Sequence, residues 1–150
     1  MYSCKDISHI DTNLYVGSSN AALDPDIIKR HNIKYVVNAT KDVKTPFEDF
    51  ITYMRIPVND GHSDEISTYF NKTIEFINEA RHKNGNVLIH CYGGISRSVT
   101  LATAYIMKKY AFSMNKALGR IQEKRPRADP NFNFMVQLLN YEKAIQAKKN

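Results

Sequence analysis

Between Asn86 and Ser98 the chain reads Asn-Val-Leu-Ile-His-Cys-Tyr-Gly-Gly-Ile-Ser-Arg-Ser, and no other stretch restricts the possible folds so strongly. Val87-Leu88-Ile89 is an apolar run with the length of a buried strand. From Arg97 to about Tyr110 apolar residues recur with helical spacing, which predicts a helix. A strand must therefore deliver Cys91 to a short glycine-containing loop, and a helix must start at Arg97. The first turn of a helix carries unpaired N–H groups and a partial positive charge, so it attracts anions. Wrapped around that helix end, the backbone of Tyr92, Gly93, Gly94, Ile95, Ser96 and Arg97 can aim several N–H groups at one tetrahedral anion. Gly93 and Gly94 permit the close approach and the unusual dihedrals that such a cradle requires.

A cysteine held at a helix N-terminus beside a cation ionises at roughly pH 3.5–7.5 rather than about 8.5. Such a setting makes Cys91 a candidate nucleophile for phosphorus, with Arg97 offering a planar fork that matches two phosphate oxygens. An isolated cysteine is more often a buried structural residue; here strand, loop and helix surround it in order. The stretch resembles the signature of the cysteine-dependent phosphatases, which is His-Cys, five residues, then Arg followed by Ser or Thr. In this chain those positions are His90, Cys91, Tyr92 to Ser96, Arg97 and Ser98.

A chain of 150 residues, 43% hydrophobic and 24% charged, suits one soluble globular domain spanning 1–150. Cysteine occurs only at positions 4 and 91, which fits a reducing compartment where a catalytic thiol survives. No apolar leader, transmembrane-length segment or lipidation motif stands out. A cytoplasmic protein without a membrane anchor, small enough to reach the nucleus, is expected. The net charge of +6 helps to attract a phosphorylated substrate. The basic residues are spread out, however, and their densest group, Lys124-Arg125-Pro126-Arg127, is short. Without an aromatic-basic module, no specific nucleic acid is expected. His9, His31, His62, His82 and His90 show no ligand spacing, so neither a metal nor another cofactor is expected.

Along the chain, Ile7–Ile10 and Leu14–Val16 read as short strands split by Asp11-Thr12-Asn13. Asp24-Pro25 opens a helix to about Asn32, and Ile33–Ala39 reads as a buried strand. Residues 40–49 read as irregular, Ile51–Val58 as a further strand, and Asn59-Asp60-Gly61-His62-Ser63-Asp64 as a polar loop. Ile66, Phe70, Ile74 and Ile77 form one face of a helix from Glu65 to Lys83, ended at Asn84-Gly85. Beyond the cysteine loop, Ala102, Tyr105 and Ile106 share one face of the Arg97 helix. Ser113 caps a helix that turns Met114, Ala117, Leu118 and Ile121 inward. Asp129-Pro130 opens the last helix, with Phe134, Met135, Leu138, Leu139 and Ile145 as its buried stripe. Strands interleaved with helices argue an α/β sandwich, its loop at the carboxyl end of a strand.

The resemblance extends beyond the signature. Leu14-Tyr15-Val16-Gly17, Tyr35–Thr40, Ile56-Pro57-Val58-Asn59-Asp60, Ala104-Tyr105-Ile106-Met107 and Pro130–Leu139 look like landmarks of the dual-specificity protein phosphatases, in family order and spacing. The similarity is to the catalytic domains of MAP-kinase phosphatases and to small atypical relatives. It implies a single-domain, protein-tyrosine-phosphatase-like α/β fold whose central mixed sheet is flanked by helices. It further implies hydrolysis of phosphotyrosine, phosphoserine and phosphothreonine in proteins through a phosphocysteine on Cys91, with Arg97 binding phosphate. Asp60 takes the family position of the general acid, on a mobile loop; Asp64 and Asp129 are the other carboxylates to weigh. By the same resemblance Ser98 eases departure of the sulfur, and His90 is a buried residue that orients the loop.

Two departures stand out: the family more often has alanine at Gly93, and no stretch of these 150 residues reads as the N-terminal kinase-docking domain that full MAP-kinase phosphatases carry, so that domain is not expected. The second weakens a MAP kinase as the expected substrate. A chain without the extra segments that build a deep phosphotyrosine slot predicts a shallow mouth open to all three phosphorylated side chains. The loop at 92–97 predicts phosphate-like anions as ligands, and a monomer is expected. Cys4 is a candidate redox partner for Cys91. Two other readings stay open. A phosphatase of phosphoinositides or RNA 5′ ends is disfavoured by a loop without lysine and without an Asn-Arg-Thr-Gly ending. A catalytically weak phosphate-binding module is disfavoured by the presence together of Cys91, Arg97 and Asp60.

Overall fold

The computed structural model describes residues 6–149, so Cys4, weighed above as a redox partner, lies outside the described residues. The chain forms strands β1 (Ile7–Asp11) and β2 (Leu14–Gly17), helices α1 (Ser19–Ala22) and α2 (Pro25–Arg30), then β3 (Ile33–Asn38) and β4 (Thr52–Arg55). A 3-10 turn, Ile66–Tyr69, runs into α3 (Phe70–His82), followed by β5 (Asn86–His90), α4 (Arg97–Tyr110), α5 (Met114–Lys124) and α6 (Phe132–Lys149). The strands make one mixed sheet in the order β1-β2-β5-β3-β4; β1 and β2 are antiparallel and the other neighbours parallel. No helix among the described residues is long and apolar enough to cross a membrane.

β5 lies innermost because Val87, Leu88 and Ile89 are all apolar, as a strand covered on both faces must be. Alternation sends Val87 and Ile89 into a large core with Leu14, Val16 and Val37, and Leu88 into a smaller one with Val36, Ile28 and Ile51. Helices α3 to α6 cover the first face, and the short α1 and α2 the second. Both neighbours of β5 run parallel to it and end level with it, Gly17 and Asn38 each pairing with His90. Cys91 therefore emerges at the carboxyl edge of the sheet, between β2 and β3, where open α/β sheets bind ligands.

Several expectations change on contact with the structure. The Arg97 helix has the predicted span, yet it is not one-sided: every residue from Arg97 to Met107 is buried. The sheet, α3, α5 and α6 all pack against it. Asp129-Pro130 does not open the last helix. Asn131 Oδ1 accepts the Phe134 amide at 2.8 Å and caps α6, which begins at Phe132. The Asp129 amide is drawn instead to the Ile95 carbonyl, 2.8 Å away. Leu139 is exposed rather than buried. The Ile51–Val58 strand shortens to β4, and α1, four residues with no periodic stripe, has no counterpart in the sequence reading.

Candidate active site

β5 releases the chain into a loop at Cys91, and α4 takes it up again at Arg97. In between, each carbonyl is engaged by a donor outside the loop's hollow. His90 Nδ1 lies 3.0 Å from the Cys91 carbonyl, and the Ser19 amide donates to Tyr92 at 2.9 Å. Arg125 donates to Gly93 through Nη2 at 3.2 Å and to Gly94 through Nε at 2.7 Å. The Asp129 amide takes Ile95 at 2.8 Å, and the Thr100 amide takes Ser96 at 2.9 Å. Across a trans peptide the C=O and the next N–H point in opposite directions. With the carbonyls held outward, the amides of residues 92–97 turn into the hollow and form a nest of donors for an anion. Ser96, at the N-cap of α4, makes no side-chain cap bond, so the first-turn amides of α4 join that nest.

Gly94 makes this winding possible. Its φ is +67°, and a Cβ there would stand 2.5 Å from Arg125 Nη2 and 2.6 Å from the Gly17 carbonyl oxygen. At Gly93 a Cβ would meet the Ile95 side chain at 3.3 Å, a neighbour that can shift, so alanine is tolerable there. Arg125 is the residue that sequence reasoning missed. The sequence shows it only as part of a short basic run, yet it is 3% exposed. Besides the two loop carbonyls it bonds Ser8 Oγ at 3.1 Å and Asp6 Oδ1 at 2.8 Å, the partners that a buried guanidinium requires. No local signal marks it, because these partners lie 31 to 119 residues away along the chain.

Cys91 is 3% exposed, and the first turn of α4 sets Ser98 Oγ 3.2 Å from its sulfur. Arg97 is buried and donates from Nη1 to the Val58 carbonyl at 3.1 Å. Its Nε is buried without a partner among the described residues. Orphaned buried donors are uncommon in folded proteins, and this one suits a ligand oxygen. Burial, aided by the charges of Arg55 and Arg97, pushes the His90 imidazole down to about 4, so its ring is neutral near pH 7. Tyr92 is half-exposed; its ring centroid lies 5.0 Å from Arg97 Cζ, and its hydroxyl donates to Asp42. Ile95 is the loop's other exposed large side chain.

Asp60 sits on the loop between β4 and the 3-10 turn, exposed, its Oδ1 accepting from Asn131 Nδ2 at 2.7 Å. The Asn131 amide in turn donates to Ser96 Oγ at 2.9 Å, so one residue joins Asp60 to the cysteine loop. Asp64 closes its own loop by accepting the Asn59 amide at 2.9 Å. Asp129 meets the cysteine loop through its backbone, and its side chain is exposed. Cys91, Arg97, Ser98 and His90 thus share one site, with Asp60 tied to its edge.

Residues 14–144 match the family model described as dual specificity phosphatase, catalytic domain. Human dual specificity protein phosphatase 16 is 44% identical over 137 residues, which are 89% of this chain and 20% of that protein. Drosophila melanogaster dual specificity protein phosphatase Mpk3 is 38% identical over 137 residues, 90% of this chain and 33% of that protein. The crystal structure of DUSP15 superposes with a TM-score of 0.90 at 34% identity, covering 95% of this chain and 90% of that one. The chain spans between a fifth and about a third of the length of these curated relatives.

Proposed function

The chain belongs to the dual specificity phosphatases, and we propose that residues 1–150 act as one catalytic domain hydrolysing phosphotyrosine, phosphoserine and phosphothreonine in proteins. The Cys91 thiolate attacks phosphorus. As the S–P bond forms, the ester P–O bond breaks, and Asp60 gives its proton to the departing oxygen. Asp60, now a carboxylate, then takes a proton from a water that attacks the phosphocysteine. The S–P bond breaks, phosphate leaves, and sulfur departs as a thiolate to which the Ser98 hydroxyl, 3.2 Å away, donates. Arg97 and the inward amides of residues 92–97 hold the phosphoryl oxygens through both displacements, the kind of preorganised electrostatics that dominates phosphoryl transfer. His90, buried and neutral, orients the Cys91 carbonyl and shuttles no proton.

The observation that carries this reading is the engagement of every carbonyl from Cys91 to Ser96 from outside the hollow. Half-exposed Tyr92 and Ile95 at the rim support a shallow mouth that short phosphoserine and phosphothreonine side chains can enter. The scarcity of cysteine supports work in the reducing cytoplasm. Peptides carrying each phosphorylated residue, with phosphoinositide controls, test the substrate class, and turnover is expected on all three peptides. Cys91→Ser should abolish turnover while phosphate-site binding persists. Asp60→Asn should lower kcat by roughly 10²–10⁴, the worth of a placed general acid, with Asp129→Asn near the parent. Hydrolysis by Cys91→Ser within about tenfold of the parent removes Cys91 as nucleophile. A crippled Asp129→Asn beside a near-normal Asp60→Asn reverses the acid assignment.

A further inference from the structure

The segment Asn59-Asp60-Gly61-His62-Ser63-Asp64 contains no apolar side chain. Val58 before it and Ile66 after it are buried, and between these anchors nothing hydrophobic holds the chain in place. Such a segment is ordinarily among the least stable parts of a fold. Here it is crossed by hydrogen bonds from one stretch of α6 and its cap. Asn131 Nδ2 donates to Asp60 Oδ1 at 2.7 Å and lies 3.4 Å from the Gly61 carbonyl. Asn133 Nδ2 donates to the carbonyls of Gly61 at 3.1 Å and Asp64 at 2.9 Å. Gln137 Nε2 reaches the Asp64 carbonyl at 2.8 Å and Asn133 Oδ1 at 3.0 Å, while its Oε1 accepts the Ser67 amide at 2.9 Å. Asn133 and Gln137 stand one turn apart on α6 and so share a face.

Resting on the assignment of Asp60 as general acid, we propose that Asn131, Asn133 and Gln137 are positioning residues that latch the acid loop in its working place before substrate arrives. Asn131 is the pivot. Its backbone amide bonds Ser96 of the cysteine loop, its Oδ1 caps α6, and its Nδ2 holds Asp60. One side chain thereby sets the register between the loop that attacks phosphorus and the loop that protonates the leaving oxygen. The latch also chooses the oxygen: an amide N–H donates to an unprotonated acceptor, so it occupies Oδ1 and leaves the proton on Oδ2. A general acid works only within hydrogen-bond reach of the departing atom, and a freely swinging exposed carboxyl would seldom be there.

The test is kcat/KM of the full chain on a series of phosphate esters, because this parameter covers the steps up to departure of the leaving group. Dinitrophenyl phosphate releases an acidic phenol that leaves without a proton, whereas phenyl phosphate and a phosphothreonine peptide need one. Asn131→Ser keeps a cap for α6 but removes the amide donors. Gln137→Glu keeps the acceptor for Ser67 but loses the donor to Asp64. Asn131→Ser should stay within about threefold of the parent on the dinitrophenyl ester and fall roughly 10–100-fold on the other two, with Gln137→Glu intermediate. Asp60→Asn should show the same dependence, steeper. An equal fall on every ester means general structural damage and overturns the latch. So does an unchanged Asn131→Ser beside an Asp60→Asn that depends on the leaving group. If Asp60→Asn is itself indifferent to the leaving group, the acid assignment has failed and the latch falls with it.

Discussion

His90 ties the site to the pH at which the fold is stable. Burial holds its ring near 4 in the folded chain, against about 6.5 when unfolded. Between those values the unfolded state binds more protons, so stability is full above about pH 6.5 and is lost as pH falls toward 4. From pH 7.5 to 5.0 the parent should lose about 2 kcal/mol through this one ring, a loss absent from His90→Gln. Denaturant melts at the two pH values measure it, and parallel losses in both proteins would show that the ring charges in place. At this scale Cys91, Arg97, Ser98 and the flanking histidine were legible because a strand–loop–helix signature is local in sequence. Arg125 was not, since nothing near it in sequence announces Gly93, Gly94, Ser8 or Asp6 as partners.

Element ends show where local rules decide and where they do not. Ser113 caps α5 as read from the sequence, its Oγ accepting the Lys116 amide at 3.2 Å, because nothing distant competes for it. Asp129-Pro130 satisfies the same rule on paper, but Ile95 draws the Asp129 amide and Asn131 takes the capping role. The inward positions of α5 followed from periodicity, whereas α4 is enclosed on all sides and its periodicity named only part of its buried surface. The far end of α4 offers a stability prediction. Ala111 is exposed and closes the helix with φ +57°, a left-handed turn that glycine adopts without strain. An L-residue there costs about 1–2 kcal/mol, part of which glycine returns as entropy of the unfolded chain. Ala111→Gly should therefore raise unfolding free energy by about 0.5–1 kcal/mol and leave kcat unchanged. A lower denaturation midpoint would contradict this account of the helix end.

Across the whole molecule, the α/β class and the place of the loop at a strand's carboxyl end were legible, because alternating elements leave few topologies. How the distant parts meet was not. Arg125, after α5, binds both the cysteine loop and Asp6 ahead of β1. Burial alone would raise the Asp6 carboxyl, but hydrogen bonds from Ser18 and Arg125, with the charges of Arg125 and Arg127, bring it below the usual carboxylate range. Arg125→Met keeps bulk while orphaning two carbonyls, and should cost about 2–4 kcal/mol of stability together with affinity for inorganic phosphate. Melts and phosphate titration check it; unchanged phosphate affinity would separate Arg125 from the loop's shape.

The anion nest is held by five residues: His90 at the end of β5, Ser19 in α1, Thr100 in α4, Arg125 after α5 and Asp129 ahead of α6. Its curvature is thus a property of the assembled chain rather than of the six residues that draw it. Fraying of any one support leaves a carbonyl without its donor, free to turn its oxygen toward the phosphate. Heating should then extinguish catalysis and secondary structure in one transition. A partly unfolded copy is chemically silent, not indiscriminate.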